Sequence, residues 1–239
     1  MDHQQARRHY QDLLADHLRG ARTAQDGARR FAEPVRRACA DNPGEDAVAE
    51  ILWAAWEPVL ATARTSPDHH PRLVALLSAL RDLDPPPRGR TVWGLEVFTD
   101  LPCFGAQLRE TWDLAPHHDD PGQPHLHAFA ARLTAARIDF SLHALWTLRE
   151  HLEHTAPPPD LAAVVSWARH GSAALAARAR AHRTFTDHDR GVDRLGPLAR
   201  DRGVPGHGFS PRRWQFWRTR LAELGTPDAR TALALLPEA

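Results

Sequence analysis

The sequence predicts an all-α protein, a compact bundle of roughly eight to ten helices. Apolar residues recur at intervals of three and four along nearly the whole chain, which is the period of a helix that is buried on one side. No segment longer than a few residues alternates apolar with polar side chains, so no half-buried strand is expected. We therefore expect a single all-helical domain over residues 1–239.

The first part of the chain is expected to form helices that end at a proline-rich boundary. One or two polar helices should come first, interrupted near Gly20 or Gly27. Helices with buried apolar stripes then follow the breaker Asn42-Pro43-Gly44 and end before Pro85-Pro86-Pro87. Residues 1–85 are thus predicted to be the N-terminal helices.

The rest of the chain repeats this pattern of capped helices. One helix is expected to begin near Asp100 as its N-cap, with Pro102 in its first turn. The segment 184–209 shows no period and is expected to be a loop. The remaining helices are predicted at about 124–137 and 141–154, from Asp160 towards His182, and after the cap-proline pairs Ser210-Pro211 and Thr226-Pro227.

All 30 basic residues are arginine, which excludes two classes of chemistry. A Walker-type phosphate loop needs a lysine, and a Schiff-base enzyme needs its amine. Cys39 and Cys103 are too few for a zinc site of four thiolates. The histidine-rich loop 117–123, taken together with His125 and His127, could fold round a metal but lacks the spacing of known metal sites. Hydrolase and dinucleotide motifs are absent. We assign no metal and no cofactor.

Charge is distributed unevenly along the chain although its total is zero. Residues 1–40 hold 8 Arg and 5 acidic residues, residues 41–159 hold 9 and 17, and residues 160–225 hold 12 and 6. An acidic middle with basic ends suits internal pairing or an anionic ligand that meets part of the surface. With no apolar run near the ~20 residues of a membrane helix and no leader, a soluble cytoplasmic protein is expected.

Charged residues at the rim of an apolar stripe are candidates to bind a polar ligand in a cleft between helices. Structural ion pairs are the alternative. Glu153 lies four residues after Arg149, so these two side chains are expected to pair. Three arginines are placed in this way, namely Arg109 beside Trp112, Arg132 beside Phe129, and Arg149 beside Trp146.

The strongest local pattern is a glycine loop that leads into a tryptophan-rich helix. Gly206-His207-Gly208 precedes a helix start that carries Arg212 and Arg213 in its first turn. Arginines oppose the helix dipole at this end unless an anion joins them, so an anion site is predicted here. Trp217 belongs to the apolar stripe of this helix, and such stripes are also typical of a core.

These motifs together resemble a mainly fungal family of unknown function that includes the oxopyrrolidine-cluster-associated proteins. The resemblance covers about residues 90–224, which we take as the family-like core. It rests on Trp93-Gly94, Asp100-Leu101-Pro102, Phe104-Gly105, Arg109-Glu110-x-Trp112, Ala128-Phe129-Ala130-Ala131-Arg132-Leu133, Ala144-Leu145-Trp146-x-Leu148-Arg149 and Gly208-Phe209-Ser210-x-x-Arg213-Trp214-x-Phe216-Trp217.

The resemblance implies tRNA-dependent aminoacyl transfer, because arginine-containing cyclodipeptide synthases are placed in or near this grouping. Such enzymes join arginine from arginyl-tRNA to a second amino acid without ATP at that step. Their acidic motif is incomplete here, since Asp119-Asp120 is followed by Pro121-Gly122-Gln123. Asp100 and Glu110 are the other acids in matching motifs, and with Glu153 they are the candidate catalytic residues.

The remaining assignments complete this hypothesis. Substrate contacts are expected from Trp93, Arg109, Arg132, Trp146, Arg149, Arg212, Arg213 and Trp217. Arginyl-tRNA is the expected partner of the basic ends 1–40 and 160–225, and no membrane is expected. Two alternatives stay open: a non-catalytic helical scaffold that binds a partner, and an RNA-independent biosynthetic enzyme that uses the same cleft.

Overall fold

Helices make up nearly all of the regular structure in the computed structural model of the chain. It describes residues 2–20, 22–41, 44–86, 90–113, 122–156, 160–185 and 191–238. Within these residues lie eleven α-helices, one 3-10 turn and one two-stranded hairpin. The all-α prediction is confirmed, with one helix more than expected. None of the described helices combines the length and apolar composition that would let it cross a bilayer.

The chain divides into two compact units, residues 1–126 and 127–239. The helix α6 (Gly122–Ala135) begins in the first unit and continues into the second. The other elements of the first unit are α1 (His3–Leu18), α2 (Ala24–Ala40), α3 (Glu45–Thr65), the 3-10 turn Pro67–His69, α4 (His70–Arg81), β1 (Thr91–Val92), β2 (Leu95–Glu96) and α5 (Phe104–Asp113).

A row of buried aromatic rings joins the helices of the first unit. The ring centroids of Tyr10 and Phe31 are 4.7 Å apart, those of Phe31 and Trp56 are 5.9 Å apart, and those of Trp56 and Phe104 are 5.4 Å apart. The indole N–H of Trp56 donates to the Pro102 carbonyl at 2.8 Å. The row therefore ties α1, α2, α3 and α5 to the segment that carries the hairpin.

A short antiparallel hairpin interrupts the helices of the first unit, which the helical period did not predict. Thr91 pairs with Glu96, and Val92 pairs with Leu95. Trp93 and Gly94 form the turn, with φ values of 54° and 74°. Two central residues of positive φ define the turn type that matches the twist of a two-residue hairpin.

The second unit contains the remaining helices, and three of them pack against the helix Ala162–Arg180. Its core includes Trp167, Trp214 and Trp217, all buried. Phe209 and Trp217 meet edge to face at 5.8 Å, and Trp214 and Trp217 are 6.0 Å apart. The elements are α7 (Ser141–Leu152), α8 (Ala162–Arg180), α9 (Pro197–Asp201), α10 (Pro211–Leu224) and α11 (Pro227–Leu235).

Capping residues set the start of the last two helices as predicted. Ser210 Oγ accepts from the Arg213 backbone N–H at 3.1 Å, and Thr226 Oγ1 accepts from the Ala229 N–H at 3.2 Å. Gly225 ends α10 in the left-handed conformation with a φ of 59°. These local signals work because a cap satisfies N–H or C=O groups that the helix itself leaves free.

Two predicted boundaries are wrong. The helix expected from Asp100 begins instead at Phe104, because Leu101 and Cys103 have φ values of 50° and 67°, which no helix contains. Asp100 Oδ2 accepts the Glu96 backbone N–H at 2.8 Å and so caps the hairpin rather than a helix. The segment 184–209 is also not all loop, since α9 lies within it.

Candidate functional site

An ion pair in the core of the second unit links α7 to α10. Glu153 follows the last residue of α7, and Arg213 lies in the first turn of α10. Arg213 Nε lies 2.6 Å from Glu153 Oε1, and Nη2 lies 3.0 Å from Oε2. The side chains are 1% and 0% exposed respectively. This is the bidentate arrangement in which arginine holds a carboxylate most firmly. We call these two residues the Glu153–Arg213 centre.

Both charges of the centre are fully hydrogen-bonded. Arg213 directs its other donors to the carbonyls of Asp193 at 3.0 Å, Gly208 at 2.9 Å and Arg194 at 3.0 Å. All five N–H bonds of the guanidinium are thereby used. The carboxylate also accepts the Trp217 indole N–H at 2.7 Å on Oε1 and the Gly196 backbone N–H at 2.5 Å on Oε2. Removal of either partner would leave the other charge buried without compensation.

Two glycines allow the chain to approach the centre. A Cβ at position 196 would lie 2.6 Å from Glu153 Cβ, which is closer than carbon atoms can approach. Gly208 has a φ of 66°, and a Cβ there would lie 2.4 Å from the Arg183 carbonyl oxygen. The glycine loop predicted as part of an anion site therefore serves to bring backbone carbonyls to Arg213.

The predicted rim position of Glu153 is wrong, because its side chain is in the core. Arg213, which was expected at an anion site, is buried there as well. The helical period predicts on which face of its own helix a residue lies. It does not predict which other helix will pack against that face and bury the residue. Trp217 is also fully buried. The predicted anion site at the start of α10 is wrong with respect to Arg213, since every donor of its guanidinium is used within the protein.

Arg149 and Trp146 hold the loop that precedes α9. The Trp146 indole N–H donates to the Val192 carbonyl at 2.7 Å. Arg149 Nη1 lies 3.2 Å from the same oxygen and 3.4 Å from the Arg194 carbonyl. The expected pairing of Arg149 with Glu153 is thus replaced by contacts with backbone oxygens. Burial and the positive charges of Arg213 and Arg194 lower the pKa of the Arg149 guanidinium.

The other predicted residues lie on helix surfaces. Arg109 Nε donates to Asp113 on α5 at 2.8 Å, and both side chains are about half exposed. Glu110 and Arg212 are exposed. Arg132 is half-buried on α6, with Nη2 3.5 Å from His170 Nε2. The structure therefore brings Trp146, Arg149, Glu153, Arg213 and Trp217 together in the second unit. Arg109 and Glu110 belong to the first unit.

The hairpin brings a second group of predicted residues together in the first unit. Trp93 is 54% exposed, and its ring lies 6.4 Å from Trp53 in an edge contact. Its backbone N–H donates to Glu45 Oε1 at the start of α3. Asp100 is exposed and bonded to β2 through Glu96. An exposed indole face attracts organic cations, and carboxylates on the same segment pair with them.

Two further features bear on ligand binding. An open cavity of about 210 Å³ lies in the first unit and is lined by His3, Asp41 and Glu50 among others, but by no predicted site residue. Residues 117–121 of the loop predicted over 117–123 lie outside the described residues, and its last two residues begin α6 instead. Of its neighbours, His125 Nδ1 lies 2.9 Å from the Arg64 carbonyl oxygen, and His127 Nδ1 accepts the Trp167 indole N–H at 3.1 Å.

Sequence reasoning missed three contributors to these sites. Gly196 and the carbonyl of Asp193 act through the backbone, which side-chain chemistry does not reveal. The sequence around Glu45 indicated only an acidic residue in the first turn of a helix and not a contact with the hairpin. The Gly196-Pro197 pair, which starts α9, could have indicated a tight approach within the unpatterned segment.

The comparisons with known proteins identify the family alone. No curated protein and no solved structure matches the chain. A family model described as a protein of unknown function (DUF3632) matches residues 56–221, which is well over half of the chain. This range contains α7, most of α10 and both residues of the Glu153–Arg213 centre. The chain therefore belongs to the DUF3632 family.

Proposed function

We propose that the protein is a tRNA-dependent aminoacyl transferase of the arginine cyclodipeptide synthase type. Its resemblance to the mainly fungal proteins of this kind runs through the motifs that carry Trp93, Asp100 and Arg149. The observation that carries the proposal is the exposed indole of Trp93 on a hairpin tied to the Glu45 carboxylate. The reaction would take place in the cytoplasm and would need no ATP or cofactor at this step.

Trp93 and Glu45 are the proposed binding site for the arginine side chain of the substrate. A guanidinium stacks on an indole face and pairs with a carboxylate at the same time, since the two contacts use its face and its edge. Trp93 has a φ of 54°, a conformation that a bulky residue adopts at a cost of about 1–3 kcal/mol. Strain of this kind is concentrated at ligand-binding positions.

Asp100 is the acid to which we assign the proton transfer, because its carboxylate is exposed. Both carboxylate oxygens of Glu153 already accept hydrogen bonds from Arg213. Each amide bond forms as an amine nitrogen bonds to the ester carbonyl carbon and the ester C–O bond breaks. The amine proton passes through the Asp100 carboxylate to the departing tRNA hydroxyl oxygen. Ring closure repeats this exchange, so the second amino acid must also arrive as an ester.

The test is mass spectrometry of small molecules formed with purified protein, tRNAs, synthetases and amino acids, with an RNase-treated control. We expect an RNase-sensitive cyclic dipeptide that contains arginine. Trp93→Ala and Asp100→Asn should each reduce the rate by at least about tenfold. Leu95→Ala is the matched control, since Leu95 is 41% exposed on the same hairpin. The proposal fails if folded protein releases arginine from arginyl-tRNA no faster than buffer does.

A non-catalytic helical protein that binds a partner is the second candidate. The hydrogen bonding of Glu153 favours this second candidate. Each carboxylate oxygen of this buried candidate acid already accepts two hydrogen bonds from the protein, so neither can accept one from a substrate. The exposed apolar pair Trp93 and Leu95 would then contact the partner. A complex without turnover supports this candidate, and any reproducible product excludes it. A product formed despite RNase treatment would instead indicate an RNA-independent enzyme.

A further inference from the structure

The cavity of the first unit lies where the ends of three packed helices meet. The first turns of α1, the end of α2 and the first two turns of α3 contribute its lining residues. Its volume of about 210 Å³ is smaller than the ~300 Å³ at which sites for drug-sized molecules begin. Most of the lining is apolar, and three of these residues have the short side chain of alanine: Ala6, Ala38, Ala47 and Ile51. The cavity therefore suits a small ligand with a hydrocarbon part.

Two carboxylates line the same cavity without a basic partner. Asp41 and Glu50 are exposed, and within the part of the chain that the structure describes neither lies at ion-pair distance from an arginine or a histidine. The basic groups on this side of α1 contact Glu57 instead. Arg7 Nε lies 3.0 Å from Glu57 Oε1, and Nε2 of His3, which also lines the cavity, lies 3.7 Å from Oε2. The cavity therefore has an excess of negative charge.

The end of α2 adds to this negative charge. Asp41 is the C-cap of α2, where the carbonyl groups of the last turn form the negative end of the helix dipole. Arg37 in that turn pairs with Glu33 at 2.8 Å rather than with Asp41. The positive ends of α1 and α3 are offset by acidic residues of their own, namely Asp2, Glu45 and Asp46. A cation in the cavity is therefore stabilised by two carboxylates and by a helix C-terminus.

We propose that this cavity binds a short aliphatic diamine. One ammonium group pairs with Asp41 and the other with Glu50, while the methylene groups between them pack on the alanine side chains. Both amines are charged at neutral pH, since an alkylamine such as that of lysine has a pKa of about 10. Six heavy atoms at the ~30 Å³ of a liquid water molecule fill roughly 180 Å³, so a four-carbon diamine fits the space. This site is separate from aminoacyl transfer, because no residue assigned to that reaction lines the cavity.

The test is isothermal titration calorimetry with butane-1,4-diamine at pH 7.5 and low salt, without tRNA or amino acids. We expect one diamine to bind per chain. Butylamine, which has a single ammonium group, should bind about fivefold more weakly, and the uncharged butane-1,4-diol should not bind. Asp41→Asn and Glu50→Gln should each weaken the binding of the diamine by about fivefold, and the double variant should weaken it by about 25-fold.

A filled cavity distinguishes this site from a general attraction between opposite charges. Ala38→Leu places a larger side chain in the cavity but keeps both carboxylates and a residue that favours a helix. It should weaken the binding of the diamine by at least about tenfold. Ala47→Leu fills the same space from α3 and replaces this variant if it does not fold, as judged by circular dichroism. Ala177→Leu, at an exposed position of α8 in the second unit, is the matched control and should keep the affinity within about twofold.

A second control removes charge at a distance from the cavity. Asp201→Asn/Asp228→Asn neutralises two exposed carboxylates of the second unit and should also keep the affinity within about twofold. The proposal is overturned if the wild type does not bind the diamine at millimolar concentrations. It is equally overturned if Asp41→Asn/Glu50→Gln or a folded leucine variant of the cavity binds with the wild-type affinity.

Failure of this inference and failure of the proposed function give different results, because the titration contains no RNA and measures no turnover. Protein that binds the diamine but forms no cyclic dipeptide contradicts the transferase proposal alone. Protein that forms the dipeptide but does not bind the diamine contradicts the amine site alone.

Discussion

The backbone N–H of Gly196 donates to Glu153 Oε2 at 2.5 Å, and a Cβ at position 196 would lie 2.6 Å from Glu153 Cβ. The two residues are in contact at a distance that only glycine allows. Through this contact the residue before α9 supplies one of the hydrogen bonds that satisfy the buried carboxylate. The Glu153–Arg213 centre therefore depends on glycine at position 196, where there is no side chain, as well as on its two charges.

We expect Gly196→Ala to lower the free energy of unfolding by about 1–3 kcal/mol, because the methyl group forces Glu153 away from Arg213. Urea denaturation followed by tryptophan fluorescence measures the change. Gly44→Ala is the matched control, since among the described residues no atom beyond its chain neighbours lies within 4 Å of the added Cβ. Because Gly44 is the N-cap of α3, where glycine is preferred over alanine, this variant should cost about 1 kcal/mol or less. Equal stability of the two variants would contradict the close approach.

Glu153→Gln should destabilise the second unit by about 3–5 kcal/mol, because Arg213 would keep a buried charge without its partner. Denaturation in urea again gives the value. The exposed pair of Arg37 and Glu33 at 2.8 Å is the control, and Glu33→Gln should cost about 1 kcal/mol or less.

A double variant distinguishes a pairing effect from a packing effect. Glu153→Met/Arg213→Met removes both charges, so we expect it to lose less stability than the sum of the two single methionine variants, by about 1 kcal/mol or more. If the losses of stability in the two single variants add up to that of the double variant, the two side chains contribute independently. That result would contradict an interaction between Glu153 and Arg213.

Sequence alone could predict the elements whose signals are local. Ser210 and Gly225 bound α10 because a cap acts within four residues of itself. The pairing of Glu153 with Arg213 spans 60 residues and depends on how α7 meets α10. A helical period places Arg149 and Glu153 on one side of α7 but contains no information about that neighbour.

The segment from the hairpin to α5 could not be predicted for a different reason. Trp93, Phe98, Leu101 and Cys103 all have positive φ values, although none is glycine. Residues with a Cβ adopt this conformation only when surrounding contacts impose it. The Asp100-x-Pro102 pattern therefore indicated a capped helix, whereas long-range contacts such as the Trp56 indole with the Pro102 carbonyl hold the chain in a loop.

The second unit should lose stability in acid through His127. Burial lowers the pKa of His127 to about 3, with smaller effects from the charges of His151 and His143. Its Nδ1 accepts the Trp167 indole N–H, which only a neutral ring can do. Between pH 6.5 and about 3 the unfolded chain therefore holds more protons than the folded chain. The free energy of unfolding should fall as pH falls, by up to about 1.4 kcal/mol per pH unit.

Urea denaturation at pH 7.5 and pH 5.5 measures this slope. His127→Gln keeps an acceptor for Trp167 but does not titrate, so its stability should change less with pH than that of the wild type. His3→Gln is the matched control, because His3 is about half exposed, and it should keep the wild-type slope. An identical slope in all three proteins would show that other groups govern the acid response.

Trp93→Asn should separate binding from stability. Trp93 and Gly94 occupy a hairpin turn with positive φ at both positions, for which Asn-Gly is the preferred sequence. Asparagine relieves the backbone strain, so we expect the Tm to stay the same or to rise, although the contact with Trp53 is lost. Loss of the indole face should weaken the binding of arginine methyl ester, measured by calorimetry, by about tenfold. Leu95→Asn, on the same hairpin, should leave that affinity within about twofold. A lower Tm with unchanged affinity would show that Trp93 serves the fold rather than a ligand.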